Sequence, residues 1–163
     1  MTPETASSKL SRSTADTTHE FLSSLAFIHA ASRAPAAPGA YVLLVALSHP
    51  LAARAGRSEA TLAPGRYLYC GSARGPGGLR ARLGRHMRRG KTRRWHIDQL
   101  TEAGESLGAW ITQDKGECDL VAALATLPAP LDGFGSSDCP RCRSHLRFWP
   151  EGEGPAFLAA QKC

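Results

Sequence analysis

Two glycine–tyrosine triplets hold the residues best suited to chemistry. Gly39-Ala40-Tyr41 opens one apolar run, and Tyr69-Cys70-Gly71 closes another. A glycine-rich turn follows, then the stretch LRARLGRHMRR, in which Arg82 and His86 stand four residues apart. On a helix that spacing puts both on one face, with Arg89 close to it. A guanidinium at the edge of a buried surface can hold a phosphate through two parallel hydrogen bonds. Two tyrosines on neighbouring strands, an arginine and a histidine are together the parts for hydrolysing a phosphodiester, so this segment points to cleavage of nucleic acid. Each part also has a plainer reading. Tyrosines are common packing residues in strands, and one arginine among many can be a solvated surface group.

These residues need a scaffold, and the hydrophobic pattern supplies one. Tyr41 to Leu47 (YVLLVAL) is a continuous apolar run, as a central strand buried on both faces requires. Arg66 to Cys70 is the next strand, after the Pro64-Gly65 turn. Residues 51–63, with a turn around Gly56, leave room for an additional hairpin. Leu79, Leu83 and Met87 form one apolar stripe and define a helix over 79–89. Residues 95–103 read as a second helix, with Ile97 and Leu100 inward. Residues 106–112 read as a strand. Residues 117–127 read as a helix with Leu120, Val121, Leu124 and Leu127 inward. A loop-rich stretch then ends in a strand over 145–149. The fold class is α/β, a small mixed or antiparallel central sheet flanked by helices.

Ahead of the first triplet, residues 1 to about 18 are rich in Ser and Thr and read as disordered. Residues 18–33 read as a short helix capped by Thr18, with Phe21, Leu22, Leu25 and Ile28 at helical spacing. Pro35 and Pro38 mark a linker. The expected organisation is a tail over 1–36, one domain over 37–150 and a second tail over 151–163.

Between Arg74 and Arg94 there are nine Arg or Lys residues and no Asp or Glu, whereas the net charge of the whole chain is +6, which leaves −3 on the rest. A basic patch on a mildly acidic body favours a polyanionic partner. No run of about 18 apolar residues exists, which argues against a membrane span. Five cysteines, an odd count with no secretory signal, point to a reducing cytoplasm.

The triplets and the Leu79–His86 helix resemble the core of the GIY-YIG nucleases. GSARGPGGLRARLGRH, WHIDQL, ECDLVAAL and GFGSSDCPRCRSHL extend the resemblance to the branch known as DUF123 or Uri-type endonucleases, over roughly residues 38–149. The resemblance implies a metal-dependent endonuclease acting on nucleic acid, with DNA the expected substrate. It implies that Tyr41 activates or aligns the attacking water and that Tyr69 hydrogen-bonds the water or the phosphate. Arg82 would stabilise the transition-state charge, and His86 could relay a proton. Glu117 would hold Mg²⁺ or Mn²⁺. Gly71, Ser72, Arg80, Arg85, Arg89 and His96 are the substrate-binding candidates. A free tyrosine titrates near about 10, so Tyr41 needs positive charge from Arg82 or the metal to act as a base. The sequence departs from the family pattern at Ala40, at Cys70, in the long gap between the tyrosines, and in lacking an asparagine after the glutamate helix.

Cys139, Cys142 and His145 have C-x2-C-x2-H spacing, which suits zinc, but a structural site needs four ligands. Cys118 and His96 are candidate fourth ligands by residue type alone. Reduced cysteines bracing a tight loop are the alternative. Two other functions remain open: a non-catalytic basic nucleic-acid-binding module, zinc-stabilised or not, and an enzyme with Cys70 or Cys139 as nucleophile.

Overall fold

The computed structural model describes residues 14–137 and 139–149. Of the stretch expected to be disordered, residues 1 to about 18, the part up to residue 13 lies outside the described residues, as does the tail expected over 151–163. Residues 14–18 are not disordered but form the start of a helix that packs Leu22 into the core. The elements run α1 (Thr14–Ser23), β1 (Ala26–Ile28), a 3₁₀ turn (Ala31–Arg33), β2 (Gly39–Leu47), β3 (Leu51–Ala55), β4 (Ser58–Leu62), β5 (Gly65–Ala73), α2 (Gly78–Met87), α3 (His96–Ala103), β6 (Glu105–Thr112), α4 (Glu117–Ala123) and β7 (Leu146–Trp149). Five strands form one sheet in the order β1-β6-β2-β5-β7, and every neighbouring pair is antiparallel. The expected α/β class holds. Among the described residues, no helix is long and apolar enough to cross a membrane.

β2 and β5 are apolar throughout because the sheet is covered on both faces. Side chains alternate between faces along a strand. Tyr41, Leu43, Val45 and Leu47 of β2 join Tyr67, Tyr69 and Ala73 of β5 in one core, roofed by Leu79 and Leu83 of α2 and by Ile97 and Leu100 of α3. Ala40, Val42 and Leu44 join Leu68 and Cys70 in a second core, closed by Leu22 of α1, by Leu120 and Val121 of α4 and by Leu124 just after it.

The extra residues between the two tyrosine strands form the hairpin β3–β4. Gly56, with φ 61°, takes the first central position of its two-residue turn, as a type II′ turn requires. The hairpin extends the first core beneath α3. There the Gln99 amide accepts from the Arg54 N–H (3.0 Å) and donates to the Arg54 carbonyl (2.8 Å).

Three expectations are corrected. The helix expected over 18–33 is α1, which ends at Ser23. Phe27 and Ile28 belong instead to β1, paired with Trp110 and Ala109 of β6. The 1–36 segment therefore supplies an edge strand and a helix to the fold. In so short a stretch the spacing of apolar residues fits both periods, and only the open edge of β6 decides between them. The linker at 34–37 is also structural. Its carbonyls accept from the N–H groups of Leu79 (to Ala37, 2.9 Å) and Arg80 (to Pro35, 3.1 Å), donors that a helix N-terminus leaves unsatisfied. The helix expected over 117–127 stops at Ala123, and Leu124 and Leu127 reach the core from turns.

Leu22 is 1% exposed, in contact with the second core. Leu22→Ala is expected to lose about 2–5 kcal/mol of stability, measured by urea unfolding. A loss within experimental error would mean that residues 14–28 pack only loosely.

Candidate active site

The pairing of β2 with β5 sets Tyr41 opposite Gly71 and Leu43 opposite Tyr69, so the two tyrosines are diagonal neighbours on one face. A Cβ at Gly71 would fall within 2.5 Å of Tyr41 Cζ; the bare glycine is what lets the Tyr41 ring lie across β5. Tyr69 is seated in the same way. Gly135, with φ 71°, passes beneath it, and a Cβ there would be 2.6 Å from the ring.

A cavity of about 290 Å³ opens where β2 begins and β5 ends. Its walls include Tyr41, Tyr69, Arg82, His86 and Glu117, the five residues expected to be catalytic. Gly71, Ser72 and His96 line it as well. Glu117 arrives from the opposite face of the sheet. α4 packs Leu120 and Val121 in the second core, but it starts beside the strand ends, near Ala40 and Ser72, so its first residue reaches the cavity.

α2 brings His86 beneath Tyr41, with the hydroxyl 2.6 Å from Nε2. Burial pushes the Tyr41 phenol well above 10, the neighbouring Tyr69 adds to this, and Arg82 offsets only part. Burial likewise raises Tyr69. His86 moves the other way. Burial, helped by Arg82, Arg85 and Lys91, lowers it to about 3 against the pull of Asp98. At neutral pH the contact is therefore an O–H donated by Tyr41 to a neutral imidazole. The positive charge expected to acidify Tyr41 is present, but desolvation outweighs it.

Arg82 is held from the side, its guanidinium 4.5 Å from the centre of the Trp95 ring. Trp95 also carries Arg85, at 4.0 Å. Arg85 in turn forms a two-pronged pair with Asp98, both bonds 2.8 Å long. Asp98 is fully buried and also accepts the N–H groups of Arg94 (2.8 Å) and Trp95 (3.0 Å). Burial alone would raise its pKa, but the Arg85 bonds and the two backbone donors together hold the carboxyl well below its usual range. His96 accepts the Gly135 N–H at Nδ1 (2.9 Å), which leaves Nε2 as its donor.

The other arginine candidates do not line the cavity. Arg80 donates to the Ala34 carbonyl (2.9 Å), Arg85 is committed to Asp98, and Arg89 donates to the Gly104 carbonyl (2.8 Å). Arginines close in sequence point in different directions around a helix, and charge counting does not resolve them. Sequence reasoning missed Arg74, Arg94, Trp95, Gly135 and Ser137 as lining residues. Gly135 lies in the GFGSS motif, a signal without a stated role. Behind the cavity, Cys118 joins Cys139, Cys142 and His145 in a compact group.

The family model described as a domain of unknown function, DUF123, matches residues 40–162, and the chain belongs to that family. No curated protein and no solved structure matches the chain.

Asp98→Asn removes the charge on which Arg85 and the start of α3 converge. The expected loss is about 3–5 kcal/mol. Because the Asp98 pKa is depressed in the folded state, the wild-type contribution is complete above about pH 4 and disappears as the pH falls toward the folded value. Stability curves of wild type and variant, measured by unfolding at several pH values, should therefore converge in acid. Parallel curves down to pH 2 would contradict this role.

Proposed function

We propose that this chain is a metal-dependent endonuclease of the GIY-YIG type that hydrolyses phosphodiester bonds in nucleic acid, with DNA the first substrate to test. The observation that carries the reading is the meeting of Tyr41, Tyr69, Arg82, His86 and Glu117, from four separate elements, around one polar cavity.

The charge of the walls suits a phosphate. Arg74, Arg82 and Arg94 line the cavity, and Glu117 is the one carboxylate among its lining residues. Among the described residues nothing donates a hydrogen bond to Glu117 within 3.5 Å, and its side chain is 30% exposed. A lone, accessible carboxylate with room for water fits Mg²⁺ or Mn²⁺, which accept one carboxylate together with waters and phosphate oxygens. Such an ion would supply charge neutralisation at the phosphate and a more acidic bound water.

The chain's own groups divide the remaining work. Arg82, preorganised against Trp95, meets the charge that develops on the phosphoryl oxygens. His96 Nε2–H and the Tyr69 hydroxyl are further donors to the same group. Tyr41 keeps its own proton and donates it in the hydrogen bond to His86 Nε2, so its oxygen lone pairs are free to accept from the attacking water. As the water's proton passes to Tyr41, the Tyr41 proton passes to His86, and no free tyrosinate is needed. A bound phosphate adds negative charge that raises His86 from its depressed value.

One observation favours a second reading, a basic module that binds nucleic acid without cutting it: both phenols are held protonated by burial. The same experiment separates the two. Labelled single-stranded and duplex DNA are incubated with Mg²⁺, Mn²⁺ or a chelator, beside Glu117→Gln and Tyr41→Phe. Cutting is expected only with metal, abolished in Glu117→Gln and slowed on the order of 10²–10⁴-fold in Tyr41→Phe, with binding retained in both variants. Salt-sensitive binding without cutting of DNA or RNA under any metal would establish the binding module instead.

A further inference from the structure

The residue after Glu117 faces away from the cavity, toward the loop between α4 and β7. There Cys118, Cys139, Cys142 and His145 each offer a ligand atom, and these four atoms lie within 4.8 Å of one another. Zn–S bonds of about 2.3 Å and a Zn–N bond of about 2.0 Å in a tetrahedron give ligand-to-ligand edges of about 3.5–3.8 Å. Cys118 Sγ and Cys139 Sγ are 3.5 Å apart. That is within about 0.3 Å of the S–S edge, the longer of the two, and is far from an S–S bond of about 2.05 Å. The cysteines are free thiols.

Two further observations distinguish this group from reduced cysteines packed in a loop. His145 is buried, and neither ring nitrogen has a hydrogen-bond partner. An imidazole unsatisfied at both nitrogens is costly, and a metal at one of them removes the anomaly. The other, Nδ1, lies 3.9 Å from Glu117 Oε2. A ligating histidine ordinarily turns its second nitrogen to a carboxylate in this way. In addition, the described residues between Ala123 and Leu146 contain no helix or strand, yet they carry the loop under Tyr69 and lead into β7. A segment without regular structure gains much from a cross-link. His96, the other fourth ligand considered from sequence, is committed to the Gly135 N–H.

We propose that Cys118, Cys139, Cys142 and His145 Nε2 hold one structural zinc ion, with His145 Nδ1–H turned toward Glu117. The four protein ligands close the coordination shell, so the site is structural. It ties the first turn of α4, which presents Glu117 to the cavity, to the loop that enters β7. Cys70 N–H donates to the His145 carbonyl (3.0 Å), so the same residue is anchored to the sheet. Zinc content does not depend on the nuclease reading, because a chain that cuts nothing would still carry the ion.

The test uses the full chain, purified without chelators or a metal-affinity step, with zinc measured by elemental mass spectrometry. One zinc per chain is expected, lost in Cys118→Ser and His145→Ala and kept in Cys70→Ala, whose thiol lies outside the group. If the ligand variants do not fold, the wild-type protein still decides. After zinc is exchanged for Co²⁺, thiolate-to-cobalt charge transfer and intense tetrahedral d–d bands are expected, and zinc removal should lower Tm. Reduced wild-type protein with no zinc and no cobalt spectrum would overturn the proposal. So would a native Cys118–Cys139 disulfide, or zinc retained at full occupancy in both ligand variants.

Discussion

The register between β2 and β5 is the constraint on which the rest depends. Tyr41 pairs with Gly71, so odd-numbered residues of both strands share one face. A slip of a single residue would send the two tyrosines to opposite sides of the sheet. It would also place a side chain where the Tyr41 ring now lies. The long apolar runs of both strands protect the register, since each buries one face beneath α2 and α3 and the other beneath α1 and α4.

Given that register, the electrostatics of the site follow from burial. The environment that seats Tyr41 and His86 together also keeps the phenol protonated and the imidazole neutral. The two are therefore a neutral hydrogen-bonded pair. Positive charge enters the cavity at its rim, through arginines that are less deeply buried. Asp98 governs part of that rim. By holding Arg85 and the backbone at Trp95, it fixes the surface against which Arg82 rests. One buried carboxylate thus positions a guanidinium it does not touch.

The two sides of the sheet meet at Glu117. The cavity belongs to the α2–α3 side, while α4 and the Cys118, Cys139, Cys142 and His145 group lie behind it. Because α4 is short and begins at the strand ends, a residue anchored on one side can present its carboxylate to the other. The loop before β7 contributes to both, with Gly135 under Tyr69 and His145 beside Glu117.

Much of this was legible in the chain itself. Apolar runs, helical periodicity and turn signals placed β2, β5, α2, α3 and β6, because each has a buried side, and the gap between the tyrosines announced the β3–β4 hairpin. The residue types at 41, 69, 82 and 86 pointed to the residues that line the cavity, and the family resemblance added Glu117. The sequence could not place β1, whose three residues have no face of their own and form only because β6 has an open edge. Nor could it sort the arginines, since whether Arg82 faces a cavity and Arg85 an aspartate depends on what α3 sets beside them. The choice of Cys118 over His96 as the fourth member of the cysteine group was likewise a tertiary matter. Local pattern determines which segments are buried and which chemistry is available. Partners distant in the chain are chosen only when the sheet closes, because hydrogen bonds and desolvation act through space.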